Sequence, residues 1–244
     1  MLRRIARHLV AFVMVMSGAV IGVGATAGTA HADGCYTWSR TLSQGATGAD
    51  VTQLQVRVAG HVTSGEVLAI DGVYGARTAA AVQRFQSAYG LAADGVAGSA
   101  TFNKIYALQD DDCTPIHFTY AELNRCNSDW SGGAVSAATA KSNALRTMWK
   151  LEAMRHALGD VPITISSGFR SVACNNAVGG SSTSRHLYGD AADLTGTPSF
   201  CTLALRARAH GFREILGPGY PGHSDHTHVA HKSSQFWSAS QCGI

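Results

Sequence analysis

The first apolar stretch of the chain, from Leu9 to about Val23, follows the basic residues Arg3, Arg4 and Arg7. It ends near the small-x-small sequence at residues 30–32, which predicts a signal peptide over residues 1–32 that is removed after Ala32. A retained membrane anchor is the alternative, because the run approaches the ~18 residues that span a bilayer. The cleavage sequence favours removal. We therefore expect a secreted protein with no membrane attachment after processing.

The next segment shows the periodicity of short amphipathic helices. A helix is predicted from Asp50, an N-cap residue type, with Val51, Leu54 and Val58 on one side. A second helix has an apolar face at positions i, i+3, i+4 and i+7, formed by Thr78, Ala81, Val82 and Phe85. This pattern predicts a small all-α domain of three helices over residues 33–112.

Within this segment the sequence DGVYGART at residues 71–78 returns as DGVAGSAT at residues 94–101, that is 94 − 71 = 23 residues later. Each copy opens with an Asp-Gly turn, whose glycine tolerates positive φ, and leads into a helix. Tyr74, Arg77 and Gln86 either line a groove for a saccharide or are merely solvated.

From Cys113 onward, helices and strands alternate. A long helix is predicted over about 137–158, and a shorter one is capped by Ser199 and runs through Ala209. Strands are predicted over residues 161–166, near 213–216, and around His226 to Val229. Residues 113–244 are therefore expected to form an α+β domain with a mixed or antiparallel sheet, and 217–222 a loop.

Charge and cysteine content narrow the class of protein. The 19 basic residues include three in the leader, so 19 − 3 = 16 basic residues face 16 acidic ones after its removal. Without a basic run, nucleic acid is not expected as a partner. Six cysteines follow Ala32, and an even count in an exported chain indicates three disulfides. Of 15 pairings, their positions favour the sequential one, since Cys35 and Cys113 bracket the helical segment.

Two stretches near the C-terminus hold the residue types of a metal centre, SRHLYGDAAD at 184–193 and DHTH at 225–228. His186, Asp193 and His228 suit a catalytic zinc, which takes three protein ligands and leaves one position open. His226 lies two residues from His228 and so faces the same side of a strand. Asp225 is placed to accept a proton from the attacking water. The alternative is a set of ordinary surface or core histidines.

The helical segment resembles the three-helix peptidoglycan-binding domain. The resemblance is carried by Gly45 to Gln55, Asp71 to Gln86 and Gly90 to Gly95, and covers nearly all of residues 37–108. It implies attachment to cell-wall glycan or peptide, and hence peptidoglycan as partner. The alternative is a helical bundle that only shields or spaces the next domain.

Residues 113–244 resemble the zinc D-alanyl-D-alanine carboxypeptidases, including the secreted Streptomyces type with three sequential disulfides. The motifs are those at 184–193 and 225–228, with SGFRS at 167–171 upstream. The resemblance implies one zinc ion per chain, held by His186, Asp193 and His228. It implies Arg170 as the group that binds the substrate carboxylate or the oxyanion. Asp225, His226 and His223 would then surround the reacting water.

The chemistry leaves alternatives open at several of these positions. Asp225 would take and return the proton, His226 would donate to the oxyanion, and His223 is the rival proton donor. The planar guanidinium of Arg170 suits a terminal carboxylate, but a structural salt bridge is its alternative. A D,D-endopeptidase would use the same site. A non-catalytic wall-binding protein would need a fourth zinc ligand, such as His223 or His226. No feature suggests an obligate oligomer, so a monomer is expected.

Overall fold

The computed structural model describes residues 35–126 and 129–244. The predicted signal peptide lies outside these residues. Within the described part of the chain, no helix combines the length and the apolar character needed to cross a membrane. The described residues belong to one compact unit.

Three helices form the N-terminal part, as the apolar periodicity predicts. They are α1 (Ala49–Arg57), α2 (Ala76–Ala88) and α3 (Ser99–Ala107). Helix α1 begins earlier than predicted, with Gly48 rather than Asp50 at the N-cap. The Asp50 carboxylate instead forms a salt bridge with Arg40, ten residues earlier in the chain, at 2.7 Å from Arg40 Nε.

The internal repeat is explained by two equivalent hydrogen-bond networks, each centred on a buried glutamine. The amide of Gln55 donates to the Asp71 carboxylate at 2.8 Å, and its oxygen accepts from the backbone N–H of Gly72 at 2.9 Å. Gln86 binds Asp94 and Gly95 in the same way, at 2.9 Å each. Each Asp-Gly turn is thereby fixed to a helix, because a buried polar group must be paired.

The C-terminal part contains a five-stranded sheet and four helices. The elements are α4 (Tyr120–Leu123), α5 (Ala137–Ala157), β1 (Thr164–Ser167), α6 (Val172–Ala177), β2 (Ala191–Thr195), α7 (Phe200–Ala207), β3 (Glu214–Leu216), β4 (Thr227–Ala230) and β5 (Phe236–Ser238). Two 3₁₀ turns are added at Arg185–Tyr188 and Ser240–Cys242. The predicted helix over 137–158 and the Ser199 cap are confirmed, and Ser199 accepts from the N–H of Thr202.

The strands lie in the order β1-β2-β4-β3-β5, antiparallel throughout except for the parallel pair β3 and β5. This mixed sheet confirms the predicted α+β class. Strand β2 was not predicted, and β1 begins three residues later than expected. In the β2–β4 pair, Asp193 lies directly opposite His228. This register brings together two of the expected metal ligands from strands that are 35 residues apart in the chain.

Helix α5 contributes to two hydrophobic cores. Met148, Leu151 and Met154 belong to the core beneath the sheet. Trp149 belongs to the core of the three-helix part and is only 2% exposed. The turn after α1 packs closely on α5, since a Cβ on Gly60 would lie 2.6 Å from that of Ala153. The two parts of the chain therefore share a buried interface.

The three disulfides are Cys35–Cys113, Cys126–Cys174 and Cys201–Cys242. This confirms the sequential pairing. The first disulfide closes the helical part, and the other two lie within the α+β part.

Candidate metal centre

His186, Asp193 and His228 come together in one buried cluster. His186 is supplied by the 3₁₀ turn before β2, and the other two side chains by the central strands β2 and β4. The Nε2 atom of His186 lies 3.1 Å from both Asp193 Oδ1 and His228 Nδ1. The distance from His228 Nδ1 to Asp193 Oδ1 is 2.9 Å. Two imidazole nitrogens and one carboxylate oxygen thus form a small triangle.

This triangle matches the ligand spacing around a single zinc ion. A tetrahedral ion with ligands at ~2.0–2.1 Å separates its ligand atoms by about 3.3 Å, close to the distances found here. Within residues 35–126 and 129–244, this is the only group of three or more His, Cys, Asp or Glu side chains close enough to share an ion. The set contains three ligands rather than four, as in catalytic zinc sites.

Neighbouring groups orient both imidazoles for metal binding. The Nδ1 atom of His186 lies 2.5 Å from the carbonyl oxygen of Gly168, so Nδ1 carries the proton and Nε2 offers its lone pair. The Nε2 atom of His228 lies 3.3 Å from the Glu214 carboxylate, which leaves Nδ1 free to coordinate. The atoms freed in this way are the two nitrogens of the triangle.

Strand register explains the contact between Glu214 and His228. Glu214 pairs with Ala230 across β3 and β4, so His228 is its diagonal neighbour on the same face. Glu214 also binds the ammonium group of Lys232. Glu214 was not predicted as a site residue, although a single carboxylate in the otherwise apolar strand β3 was the available signal.

The electrostatics of the cluster favour the metal-binding form of Asp193 and His186, but not that of His228. Burial would lower the pKa of His228, yet hydrogen bonds with Asp193 and Glu214 raise it, so a bound metal ion would displace a proton there. Burial alone would raise the pKa of the Asp193 carboxyl, but the attraction of His186 and His228 holds that pKa well below its usual range. Burial lowers the pKa of His186. For Glu214, burial would raise the pKa, yet hydrogen bonds with His228 and Lys232 lower it to about 2. An ionised carboxylate and a neutral imidazole are therefore present at neutral pH.

Arg170 lies against this cluster and is already engaged. Its Nη2 atom is 2.6 Å from Asp193 Oδ2, and both Nε and Nη2 donate to Ser167 Oγ. The salt bridge considered as an alternative in the sequence is therefore present. It holds the second oxygen of Asp193 and leaves Oδ1 for the metal. Only Nη1 of Arg170 has no hydrogen-bond partner among the described residues, so two parallel bonds to a substrate carboxylate require a different side-chain rotamer.

The three other predicted site residues lie beside the triangle. His226 Nε2 is 3.7 Å from Asp193 Oδ1, and its Nδ1 is 2.8 Å from the Asp225 carboxylate. The side chain of Asp225 is 85% exposed and turned toward His226 rather than toward the triangle. The ring of His223 lies beside that of His226 and is tilted by 41° to it, with 4.7 Å between the ring centroids. Burial lowers the pKa of His223.

A cleft of about 580 Å³ opens over the cluster. Its walls include Arg170, His223 and His226, together with the glycine-rich segment around Gly180 and the aromatic side chains of Tyr220 and Phe236. A cavity of this size admits a short peptide. The three candidate ligands therefore lie at the base of an accessible cleft.

Two family models match separate stretches of the chain. The sequence model of the Peptidase M15 family matches residues 116–230, and that of a peptidoglycan binding domain matches residues 47–105. A zinc D-Ala-D-Ala carboxypeptidase from Streptomyces albus G is 71% identical over 221 residues, which cover 90% of this chain and 87% of that protein. A Bacillus licheniformis protein named "Probable N-acetylmuramoyl-L-alanine amidase" is 40% identical over 84 residues, covering 31% of this chain and 22% of that protein.

Among solved structures, a Burkholderia AP3 phage endolysin shares 35% identity over 44% of this chain and 36% of its own, with a TM-score of 0.26. The Streptomyces relative spans nearly the whole of both chains, and it agrees with the zinc-ligand geometry and the family match. The chain therefore belongs to the zinc D-Ala-D-Ala carboxypeptidases of the Peptidase M15 family, with a peptidoglycan-binding domain in front.

Proposed function

We propose that this protein is a secreted zinc metallopeptidase that hydrolyses the D-Ala-D-Ala bond at the end of peptidoglycan stem peptides. The observation that carries the proposal is the triangle of His186 Nε2, Asp193 Oδ1 and His228 Nδ1 at the base of the cleft. The 71% identity to a zinc D-Ala-D-Ala carboxypeptidase supports the substrate class. Residues 1–32 would direct export, and the protein would act as a monomer.

His186, Asp193 and His228 would hold one zinc ion. When bound, zinc lowers the pKa of a water molecule toward ~7 and polarises the scissile carbonyl. Neither His223 nor His226 belongs to the group of side chains close enough to share the ion. A structural zinc normally has four protein ligands, so this arrangement favours catalysis over a purely structural site.

Asp225 and His226 would transfer protons as a pair. The Nδ1–H of His226 donates to Asp225, which leaves Nε2 as a proton acceptor facing the triangle. Such a pair can take a proton from the attacking water and return it to the leaving amine. His223, whose ring lies next to that of His226, is the second candidate for this transfer. Once protonated, His226 can donate to the oxyanion.

Arg170 would fix Asp193 and assist substrate binding. Its contact with Asp193 Oδ2 keeps the ligand carboxylate in place. Nη1, which has no hydrogen-bond partner within the described ranges, can reach toward a carboxylate or a carbonyl oxygen in the cleft. Recognition of a free terminal carboxylate is the property that separates a carboxypeptidase from a D,D-endopeptidase.

The proposal is tested with an acylated peptide ending in D-Ala-D-Ala, its C-terminal amide, and crosslinked wall, each with and without chelator. We expect zinc-dependent release of D-alanine, with the amide cut poorly. Asp225→Asn should keep zinc and lower kcat, because an amide cannot hold the imidazolium that forms; His223→Ala is the comparison for the rival donor. Absence of D-alanine release from the free acid by the zinc-loaded protein would refute the carboxypeptidase. Cleavage of the crosslinked wall alone would identify an endopeptidase.

A further inference from the structure

The peptidoglycan-binding domain contains a cavity of about 160 Å³ that no part of the proposed reaction uses. Its lining combines an apolar surface with a charged rim, and consists of Val62, Glu66, Val67, Leu68, Ala76, Arg77, Ala80 and Arg84. Two other residues considered for a groove lie elsewhere. Tyr74 is fully buried and Gln86 is 2% exposed, and both are bound within the domain. Of these three residues, Arg77 lines this cavity and the other two do not.

The charged side chains on the rim differ in the hydrogen bonds that they make. Glu66 accepts a hydrogen bond from the N–H of Thr63 at 3.2 Å. Hydrogen bonding by the side chain and backbone of Thr63, together with the positive charges of Arg84 and Arg77, lowers the pKa of the Glu66 carboxyl. Arg77 and Arg84 make no ion pair or side-chain hydrogen bond with any residue in the described part of the chain. They lie seven positions apart on α2, so both side chains project from the same side of that helix. Two guanidinium groups are therefore available beside an apolar floor.

A guanidinium group next to a small apolar surface recognises a carboxylate that carries a methyl or other short aliphatic group. Arginine binds carboxylates through directional, charge-assisted hydrogen bonds. The volume of the cavity limits the apolar part of the ligand to a few carbon atoms. Val62 and Leu68, both nearly buried, form the floor against which such a group would pack.

We propose that this cavity, with Arg77 and Arg84 on its rim, is a binding site for a small aliphatic carboxylate on the peptidoglycan polymer. The proposal rests on the proposed function for the identity of the polymer. Two sources offer this chemistry, the free C-terminal alanine of a stem peptide and the lactyl carboxylate of muramic acid without a peptide. The site would hold the wall while a stem peptide occupies the catalytic cleft.

The position of the cavity supports this arrangement. The loop that forms one side of it, at residues 62–68, also contacts the edge of the catalytic sheet. The N–H of Gly65 donates to the Arg208 carbonyl at 3.0 Å, and a Cβ on Gly65 would lie 3.3 Å from Gln235. Phe236, the next residue along the chain, lines the catalytic cleft and is 42% exposed. The loop beside the cavity thus contacts the chain segment that leads into the wall of the cleft.

The test measures binding of the full-length, zinc-loaded protein to insoluble wall by sedimentation. Arg77→Gln and Arg84→Gln should each weaken binding about ten-fold, as expected for the loss of a charge-assisted hydrogen bond. Arg206→Gln is the matched control, because Arg206 is exposed on α7 and does not line the cavity. Hydrolysis of a short soluble D-Ala-D-Ala peptide should be unchanged in all three variants.

Two soluble competitors distinguish the sources of the carboxylate. One is a stem peptide ending in a single D-alanine, and the other is a glycan fragment with a free lactyl carboxylate. The competitor that carries the bound carboxylate should displace the parent protein from wall. The same competitor should not affect the residual wall binding of the Arg77→Gln/Arg84→Gln double variant. Wall binding by the double variant as tight as that of Arg206→Gln would overturn the proposal. A parent protein that binds wall through these arginines but releases no D-alanine would refute the proposed function and leave the binding site standing.

Discussion

Replacement of Trp149 by alanine should destabilise the whole protein rather than one of its parts. Trp149 projects from α5 of the catalytic part into the core of the three-helix part and is 2% exposed. Its ring lies 6.0 Å from the Arg57 guanidinium, and its Nε1–H points at the carbonyl of Cys113 at 3.4 Å. The substitution removes most of the apolar surface that α5 presents to the other core.

The expected magnitude follows from burial. Truncation of a buried tryptophan to alanine costs ~3–5 kcal/mol, which combines the lost transfer free energy with the cavity that remains. For a chain of this size, 1 kcal/mol shifts the melting temperature by ~2–4 °C, so Tm should fall by roughly 6–20 °C. Trp149→Phe keeps an aromatic ring at the position and should lose much less.

The assay is thermal unfolding of the oxidised, zinc-loaded protein, followed by circular dichroism. Because α5 forms one side of each core, we expect the parent and the variant each to unfold in a single transition. A fall in Tm of less than about 3 °C would show that the interface contributes little to stability. Two separate transitions in the parent protein would also refute the reasoning, since they would mean that the two parts unfold independently.

Two further predictions concern side chains that support the site and the interface. Glu214→Ala should lower zinc affinity at least ten-fold, because the carboxylate orients His228; competition with a chelator measures this, and unchanged affinity would contradict it. Burial lowers the pKa of His210 in the folded protein to about 4, and its Nδ1 contacts the Gly60 carbonyl. In the unfolded chain the pKa of a histidine is ~6.5. Between these two pH values the unfolded chain therefore binds a proton that the folded chain does not. Stability should therefore fall as pH drops from 6.5 toward 4, and His210→Gln should flatten that dependence in urea unfolding; an unaltered slope would exclude His210 as a cause.

The sequence pattern predicted α1, α2, α3, α5 and α7, because apolar positions recur at helical spacing and the helices have clear ends. The short helices α4 and α6 and the strand β5 were not predicted. Helix α5 ends at Ala157 with Leu158 as its C-cap, and the next two residues, Gly159 and Asp160, both adopt positive φ. Strand β2 was missed for the opposite reason. Its first four residues, Ala191 to Leu194, are all buried, so no alternation of polar and apolar positions marks it. The sequence pattern therefore did not predict that Asp193 lies on a central strand.

The contacts of the groups around the candidate ligands could not be predicted from the sequence either. Residue types and spacing in the two motifs predicted His186, Asp193 and His228 as a set, and the structure places them together. The contacts of Glu214 and Arg170 depend on strand register and on which rotamer a side chain adopts. Neither is encoded in local spacing. The contact of Arg170 with Asp193 was only one of two alternatives in the sequence, and its geometry decides how much of the guanidinium remains for substrate.

The shared interface bears on how the enzyme would work on an insoluble polymer. Domains within one chain commonly move relative to each other when their interface is small and polar. Here Trp149 lies inside the core of the neighbouring part, and the close approach of Gly60 to Ala153 leaves no room for an added methyl group. A wall contact made by Arg77 and Arg84 would then set the position of the cleft on the polymer. If a flexible linker joined the two parts, wall binding would only raise the effective concentration of stem peptides near the cleft. A fixed distance between the wall contact and the cleft would instead select the stem peptides that lie at that distance.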